Sequence, residues 1–189
     1  EKCDLNSILF LLTPAENRNK LRFLTSQLVR FERFVDNDVP MQEVLLGVYN
    51  SHPARYAGYT IQQLCQEMHD FYKERNVKEL QKKLFRREYF PEYAMKPQEA
   101  QYAFIRGQRE LVPLDEIEGR IALEGALPYP PGVLCVVPGE RWSHTAVQYF
   151  KALEEGLNEL PGFASEIQGV YLEKEDDGHI RAYGYVLKE

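Results

Sequence analysis

The sequence predicts an α+β fold in which amphipathic helices are followed by a small sheet that ends in a β-hairpin. Three observations carry this. Leu21, Leu24, Leu28, Phe31 and Val35 recur at spacings of three and four, as do the apolar residues of later stretches, which is the period of a one-sided helix. Gly169–Lys174 and His179–Leu187 read as strands joined by Glu175-Asp176-Asp177-Gly178, and Asp-Gly is a strong hairpin signal. Between helices and hairpin lies Ala126–Trp142, read as ALPYPPGVLCVVPGERW, around which the chain is organised.

Taken in order, Leu5–Leu12 reads as a buried strand. Thr13, Pro14 and Glu16 then have the types of a capping box with proline at the first helical position, so a helix is expected from there to Asp36-Asn37-Asp38. Pro40 starts a short helix carrying Met41, Val44, Leu45 and Val48, and Asn50–Tyr59 is expected to be a loop. Thr60 with Gln63 repeats the capping logic before the stripe Ile61, Leu64, Cys65, Met68, Phe71 and Tyr72. After a break at Arg75-Asn76, the stripe resumes with Val77, Leu80, Leu84 and Phe85, while Lys82, Lys83, Arg86 and Arg87 occupy the other faces, read as solvated in preference to meeting an acidic partner. A helix is expected over Gln98–Gly107, a short strand at Val112–Leu114, and a helix interrupted by Gly119 over Leu114–Leu123.

The organising stretch has three parts. Tyr129-Pro130-Pro131-Gly132 is a stiff turn, because each proline fixes its own φ and restricts the residue before it. Val133–Val137 is an unbroken apolar run, expected to be a strand covered on both faces with Cys135 inside. Pro138-Gly139-Glu140 ends it and delivers Glu140, Arg141 and Trp142 to its exit. Ser143 then caps a helix with Val147, Phe150, Leu153, Leu157 and Leu160 on one face.

Composition excludes several classes. The chain has 189 residues, enough for a substantial core, and is 44% hydrophobic and 28% charged. A net charge of −6 argues against nucleic acid as the main partner. No apolar run reaches the roughly eighteen residues that span a bilayer, so no membrane partner is expected. Three cysteines, Cys3, Cys65 and Cys135, fit reduced thiols and a cytoplasmic location. The opening Glu1-Lys2-Cys3 lacks methionine and enters an apolar run at once, which reads as a piece of a longer protein.

Signals for chemistry are sparse. Cys65 and His69 stand four apart on one helix, but nothing supplies further metal ligands, so no metal is expected. No Gly-rich phosphate loop exists, and His52, His144 and His179 have no nucleophile in a recognisable arrangement. Glu154-Glu155 and Asp176-Asp177 are adjacent acids and cannot face one another across a substrate.

YPPG, a short apolar run and PGE, then YFKALEEGLNELPGFASEIQGVY and the closing YGYVLKE, resemble the C-terminal region of bacterial ornithine/lysine/arginine decarboxylases. These are large pyridoxal-phosphate enzymes with an aminotransferase-like core. The opening EKCDLNSILFLLTPA is similar to the ornithine branch as well. The resemblance implies that residues 1–38 end the small domain of that core and that 39–189 form the family's C-terminal domain. It implies decarboxylation of L-ornithine to putrescine by the full-length enzyme, with lysine or arginine as the alternative substrate. The cofactor-binding lysine of the family follows a Ser-x-His pattern absent from this chain. No catalytic or cofactor-binding residue is therefore expected here, and the piece alone is expected to be inactive. Glu1 matches the glutamate expected to bind the distal amine of the substrate. Tyr129, Pro130, Pro131, Gly132, Gly139 and Glu140 are expected to shape the substrate channel. The implied partners are the rest of the decarboxylase chain, a second subunit of a homo-oligomer and the amino-acid substrate. A stand-alone interaction module without catalysis is the rival reading.

Overall fold

A computed structural model describes residues 2–3, 8–129, 132–163 and 166–189. It is α+β, with short strands at Lys2–Cys3 (β1) and Ile8–Leu9 (β2), and the chain divides into compact units over Ile8–Glu74 and Arg75–Glu189.

The first unit is mainly helical. The strand expected over Leu5–Leu12 is reduced to β2, with residues 4–7 outside the described set. Ile8, Phe10, Leu11 and Leu12 are exposed rather than buried. An apolar run becomes a buried strand only where neighbours cover both faces, and no described element of this unit does so. Helix α1, Arg18–Asp36, starts later than expected. Its cap is Asn17, whose Oδ1 accepts from the backbone N–H groups of Asn19 and Lys20 at 3.0 Å each. Thr13 instead accepts from the N–H of Glu16 in a turn that uses Pro14, and Glu16 pairs with Lys20 at 3.0 Å. The apolar stripe of α1 is present, yet none of its residues is buried, and Leu21, Leu28 and Phe31 remain exposed.

Helices α2 (Met41–Val44), α3 (Leu46–Ser51) and α4 (Pro53–Tyr56) follow, so the loop expected over Asn50–Tyr59 is partly helical. Pro53 provides the reason, since its fixed φ suits a first helical turn. Met41 N–H donates to Tyr59 O and Ile61 N–H to Val39 O, both at 2.9 Å, which closes this segment onto the start of α5, Ile61–Glu74. The expected capping box is present: Gln63 N–H donates to Thr60 Oγ1 and Thr60 N–H to Gln63 Oε1, each at 3.2 Å. Ile61, Leu64 and Phe71 form the buried face of α5, and α1 packs against this helix.

The second unit joins helices to sheet. Asn76 takes a left-handed φ of 57° and α6 runs over Val77–Leu84, with Val77 and Leu84 buried and α8 (His144–Glu159) packed against it. Phe85 falls outside the buried stripe and is 53% exposed, because the helix has ended by then. A 3-10 turn at Arg87–Tyr89 and helix α7, Pro97–Ile105, lead to strand β3, Arg109–Pro113. The helix expected over Leu114–Leu123 does not form. Gly119 has φ 78°, and Ile121 and Ala122 instead bridge to Arg141 and Val186.

Further on come β4 (Leu127–Tyr129), β5 (Glu166–Gln168), β6 (Tyr171–Lys174) and β7 (Ile180–Leu187). The larger sheet has the antiparallel order β3-β7-β6, with Val112 opposite Gly184 and Leu172 opposite Ala182. The hairpin is where the sequence put it, with Gly178 at φ 89° in the turn. Alternate residues Ala182, Gly184 and Val186 are buried beside α8 and Trp142. A side chain at position 184 would meet Ile117 Cδ1, so glycine lets the strand approach. Ser143 Oγ caps α8 by accepting from Ala146 N–H at 3.3 Å. Asn158 then both donates to Ile180 O at 2.9 Å and accepts from Ile180 N–H at 2.7 Å, fixing the helix on the strand.

Candidate functional site

The organising stretch is a corner built from three short segments. Its second part is not a strand: Val133 and Leu134 are each 45% exposed, while Cys135 and Val136 are buried. Only Val136 bridges, to Ala126, through Ala126 N–H to Val136 O at 3.0 Å and Cys135 N–H to Ala126 O at 2.9 Å. The apolar run therefore turns one end inward and the other outward, and the strand expectation is corrected to a bridged loop.

From Val136 the backbone stays tied to residues 119–126. Gly139 N–H donates to Ala122 O and Ala122 N–H to Glu140 O, both at 2.8 Å. Trp142 N–H donates to Arg120 O at 3.0 Å, and Gly119 N–H to Trp142 O at 2.9 Å. A third segment closes the lattice, with Ala94 and Met95 N–H both donating to Gly139 O and Arg141 N–H donating to Glu92 O at 2.8 Å. So many paired backbone groups in so few residues make a rigid loop rather than a mobile one.

The described members of the anticipated channel set, Tyr129, Gly132, Gly139 and Glu140, each have a definite place. Tyr129 ends β4 and is 48% exposed. Its ring lies against Gly132, where an added Cβ would come within 2.9 Å of Cδ2, and Gly132 holds φ at 76°. Gly132 N–H donates to Pro128 O at 2.9 Å, which closes the turn from the described side. Pro130 and Pro131 lie outside the described residues, as does Glu1. Gly139, at φ 93°, lets the backbone of Met95 approach too closely for any side chain. Glu140 Oε2 accepts from Val137 N–H at 2.8 Å, so its carboxylate closes its own turn. It is committed to holding the loop, and the exposed groups nearby are Tyr129, Val133 and Leu134.

Two positions had not been singled out. Gly125 and Gly169 stack backbone on backbone, anchoring the corner to the segment after β5. β5 itself, paired Pro128 to Ile167, was also missed. A glycine beside a short apolar run was the available signal for both.

Elsewhere the chemistry is quiet. Among the described residues no group of three or more His, Cys, Asp or Glu side chains is placed to hold a metal; Cys65 is half-buried and His69 is exposed. Burial pushes the Cys135 thiol up to about 12, which removes it as a nucleophile. His144 Nδ1 lies 3.0 Å from Glu118 Oε2, but both side chains are open to solvent. This geometry positions a loop.

The profile of the family described as Orn/Lys/Arg decarboxylase, C-terminal domain, matches residues 78–188. The chain belongs to that family. Among curated proteins it is 63% identical over 188 residues to the inducible ornithine decarboxylase of Escherichia coli and 63% identical over 189 to the ornithine decarboxylase of Haemophilus influenzae. Both alignments cover 100% of this chain and 26% of the relative, so the chain spans about a quarter of the relatives' length. Lysine decarboxylase LdcA of Pseudomonas aeruginosa is 32% identical over 186 residues, covering 97% of this chain and 24% of that protein. Among solved structures, lysine decarboxylase A from Pseudomonas aeruginosa superposes with a TM-score of 0.83 at 30% identity, over 92% of this chain and 23% of that one. No described helix is long and apolar enough to cross a membrane.

Proposed function

We propose that this chain is the C-terminal part of a pyridoxal-phosphate-dependent ornithine decarboxylase, which converts L-ornithine to putrescine and CO2 in the cytoplasm. The observation that supports ornithine is the gap in identity: 63% to ornithine decarboxylases against 32% to a lysine decarboxylase across nearly the same residues. In such an enzyme the bound cofactor supplies the electron sink for loss of the carboxylate. The described residues of this chain do not fit a seat for it. Thr145 is the single buried polar residue among those whose burial is described, and none of the lysines from Lys20 onward is buried. The seat then belongs to the rest of a protein about four times as long.

Residues 1–38 complete the small domain of an aminotransferase-like core in this reading, and 39–189 form the C-terminal domain. The exposed apolar residues of β2 and α1 support it, since they are an incomplete core that the preceding chain would cover. The corner at Tyr129, Pro130, Pro131, Gly132, Gly139 and Glu140 borders the substrate channel, and Glu1 accepts the distal ammonium of ornithine. A second subunit completes the assembly.

The test is kcat/KM of the full-length enzyme on ornithine, lysine and arginine. Ornithine is expected to be preferred over lysine by about tenfold to two-hundredfold, the discrimination available from one methylene. Equal or better use of lysine or arginine would overturn the assignment. Gly132→Val in the same enzyme is expected to lower kcat/KM while bound cofactor, read by absorbance, stays at the native ratio.

A further inference from the structure

The corner turns an uncharged face outward. From Ala126 to Gly139 the sequence holds no charged residue. The charged residues at its exit are engaged inside the protein. Glu140 closes its own turn, and Arg141 donates from Nη1 to Gly119 O at 2.9 Å, with Glu92 Oε2 3.9 Å from its Nε. Backbone donors are engaged as well, since the N–H groups of Ala126, Gly132, Cys135, Val136, Val137 and Gly139 all find acceptors within the protein. What remains on the outside is apolar or aromatic: Tyr129, Val133 and Leu134, each about half exposed.

Glycine fixes where two of these side chains lie. The Tyr129 ring covers Gly132, and Leu134 Cδ2 covers Gly125, 2.8 Å from where a Cβ on that glycine would stand. The backbone of Gly125 is itself in close contact with Gly169, which leaves no room for a side chain there either. Leu134 thus rests on backbone rather than on a flexible side chain that could give way. An apolar group seated in this manner on a rigid loop can measure length, because it does not move aside for one more methylene.

We infer that Leu134 is a specificity-determining residue, whose side chain lies along the methylenes of the substrate and limits their number. This role rests on the proposed place of the corner beside the substrate channel. The chemistry of the face selects its occupant. A diamino acid carries charge at both ends, which this face has no group to pair, and a run of methylenes between them, which it can cover. Lysine has one methylene more than ornithine. Against a fixed Leu134 that methylene either meets the side chain or draws the reacting carbon out of place.

The test is kcat/KM on lysine and on ornithine for the full-length enzyme carrying Leu134→Ala. The ratio of lysine use to ornithine use should rise by about tenfold or more, the lower end of what one methylene is worth. Bound cofactor, read by absorbance, should stay at the native ratio. Affinity for cadaverine, the diamine one methylene longer, should rise relative to that for putrescine, read by calorimetry. Leu134→Met keeps the volume and should keep the native preference. Leu172→Ala makes a similar truncation at an exposed position on β6 and should change neither ratio. Equal loss on both substrates, or an unchanged ratio in Leu134→Ala, overturns the role of Leu134, whose side chain then only holds the loop. Failure of the reading beneath it is seen elsewhere: the unmodified enzyme uses lysine as well as ornithine, or Gly132→Val leaves kcat/KM unchanged. Either of these overturns the role as well.

Discussion

Cys135 and Val136 sit where the corner turns inward, 7% and 0% exposed, next to residues that are half open. The Cys135 thiol donates weakly to Val133 O at 3.6 Å, and burial raises its pKa to about 12, so little thiolate exists at neutral pH. It is expected to resist thiol reagents in the native protein and to react at once in denaturant; labelling kinetics in the two states check this. Val136→Asp should cost about 3 kcal/mol or more, read from urea unfolding, because the carboxylate would enter this packing without a partner. Glu154 carries a pH-dependent contribution. Desolvation raises its pKa above the ordinary 4.5, opposed by its bond from Ala182 N–H at 3.0 Å, and Asp115, Lys151 and Arg181 also act on it. A carboxyl with a raised folded pKa binds its proton more readily when folded. Its contribution to stability is therefore full below the ordinary glutamate range and is lost as pH rises through the raised value. Glu154→Gln keeps an acceptor for Ala182 and removes the charge, so it should raise Tm at neutral pH, with the gain vanishing in acid.

At the scale of elements, what was legible in the sequence is what local chemistry decides. Thr60 and Gln63 cap α5 as read, Ser143 caps α8, and Asp177-Gly178 makes the turn of the hairpin, because each needs only residues a few positions apart. The cap of α1 was misread for a local reason too: Asn17 competes with Thr13 and wins by accepting two N–H groups. Asn17→Ala is expected to cost about 1 kcal/mol and to speed amide exchange in the first turn of α1, while Thr13→Ala leaves that turn unchanged. The strand expected from the apolar run Leu5–Leu12 does not form at its described residues Phe10–Leu12, nor does the one over Val133–Val137, and here the reason is different. Such a run reports an affinity for burial but not which neighbour provides it, and Val133 and Leu134 were left outside. The candidate site followed the same division. The glycines of its turns were visible, whereas the approach of residues 92–95 and of Gly169 depends on contacts distant in sequence.

For the molecule as a whole, the order β3-β7-β6 has a consequence in time. β7 is the middle strand, and both of its neighbours bond to it and not to each other. On the ribosome β3 is made well before the strand it needs, and at roughly 5–20 residues per second it waits for several seconds with its edge unpaired. Asn158 and Glu154 of α8 also find their backbone partners, Ile180 and Ala182, only on β7. The second unit can thus take its final form only after almost all of it has been synthesised. Stalled nascent chains that end at Gly178 should stay open to protease from Arg75 onward. Chains long enough to place Leu187 beyond the exit tunnel should become resistant in a single step, without a protected intermediate at β3.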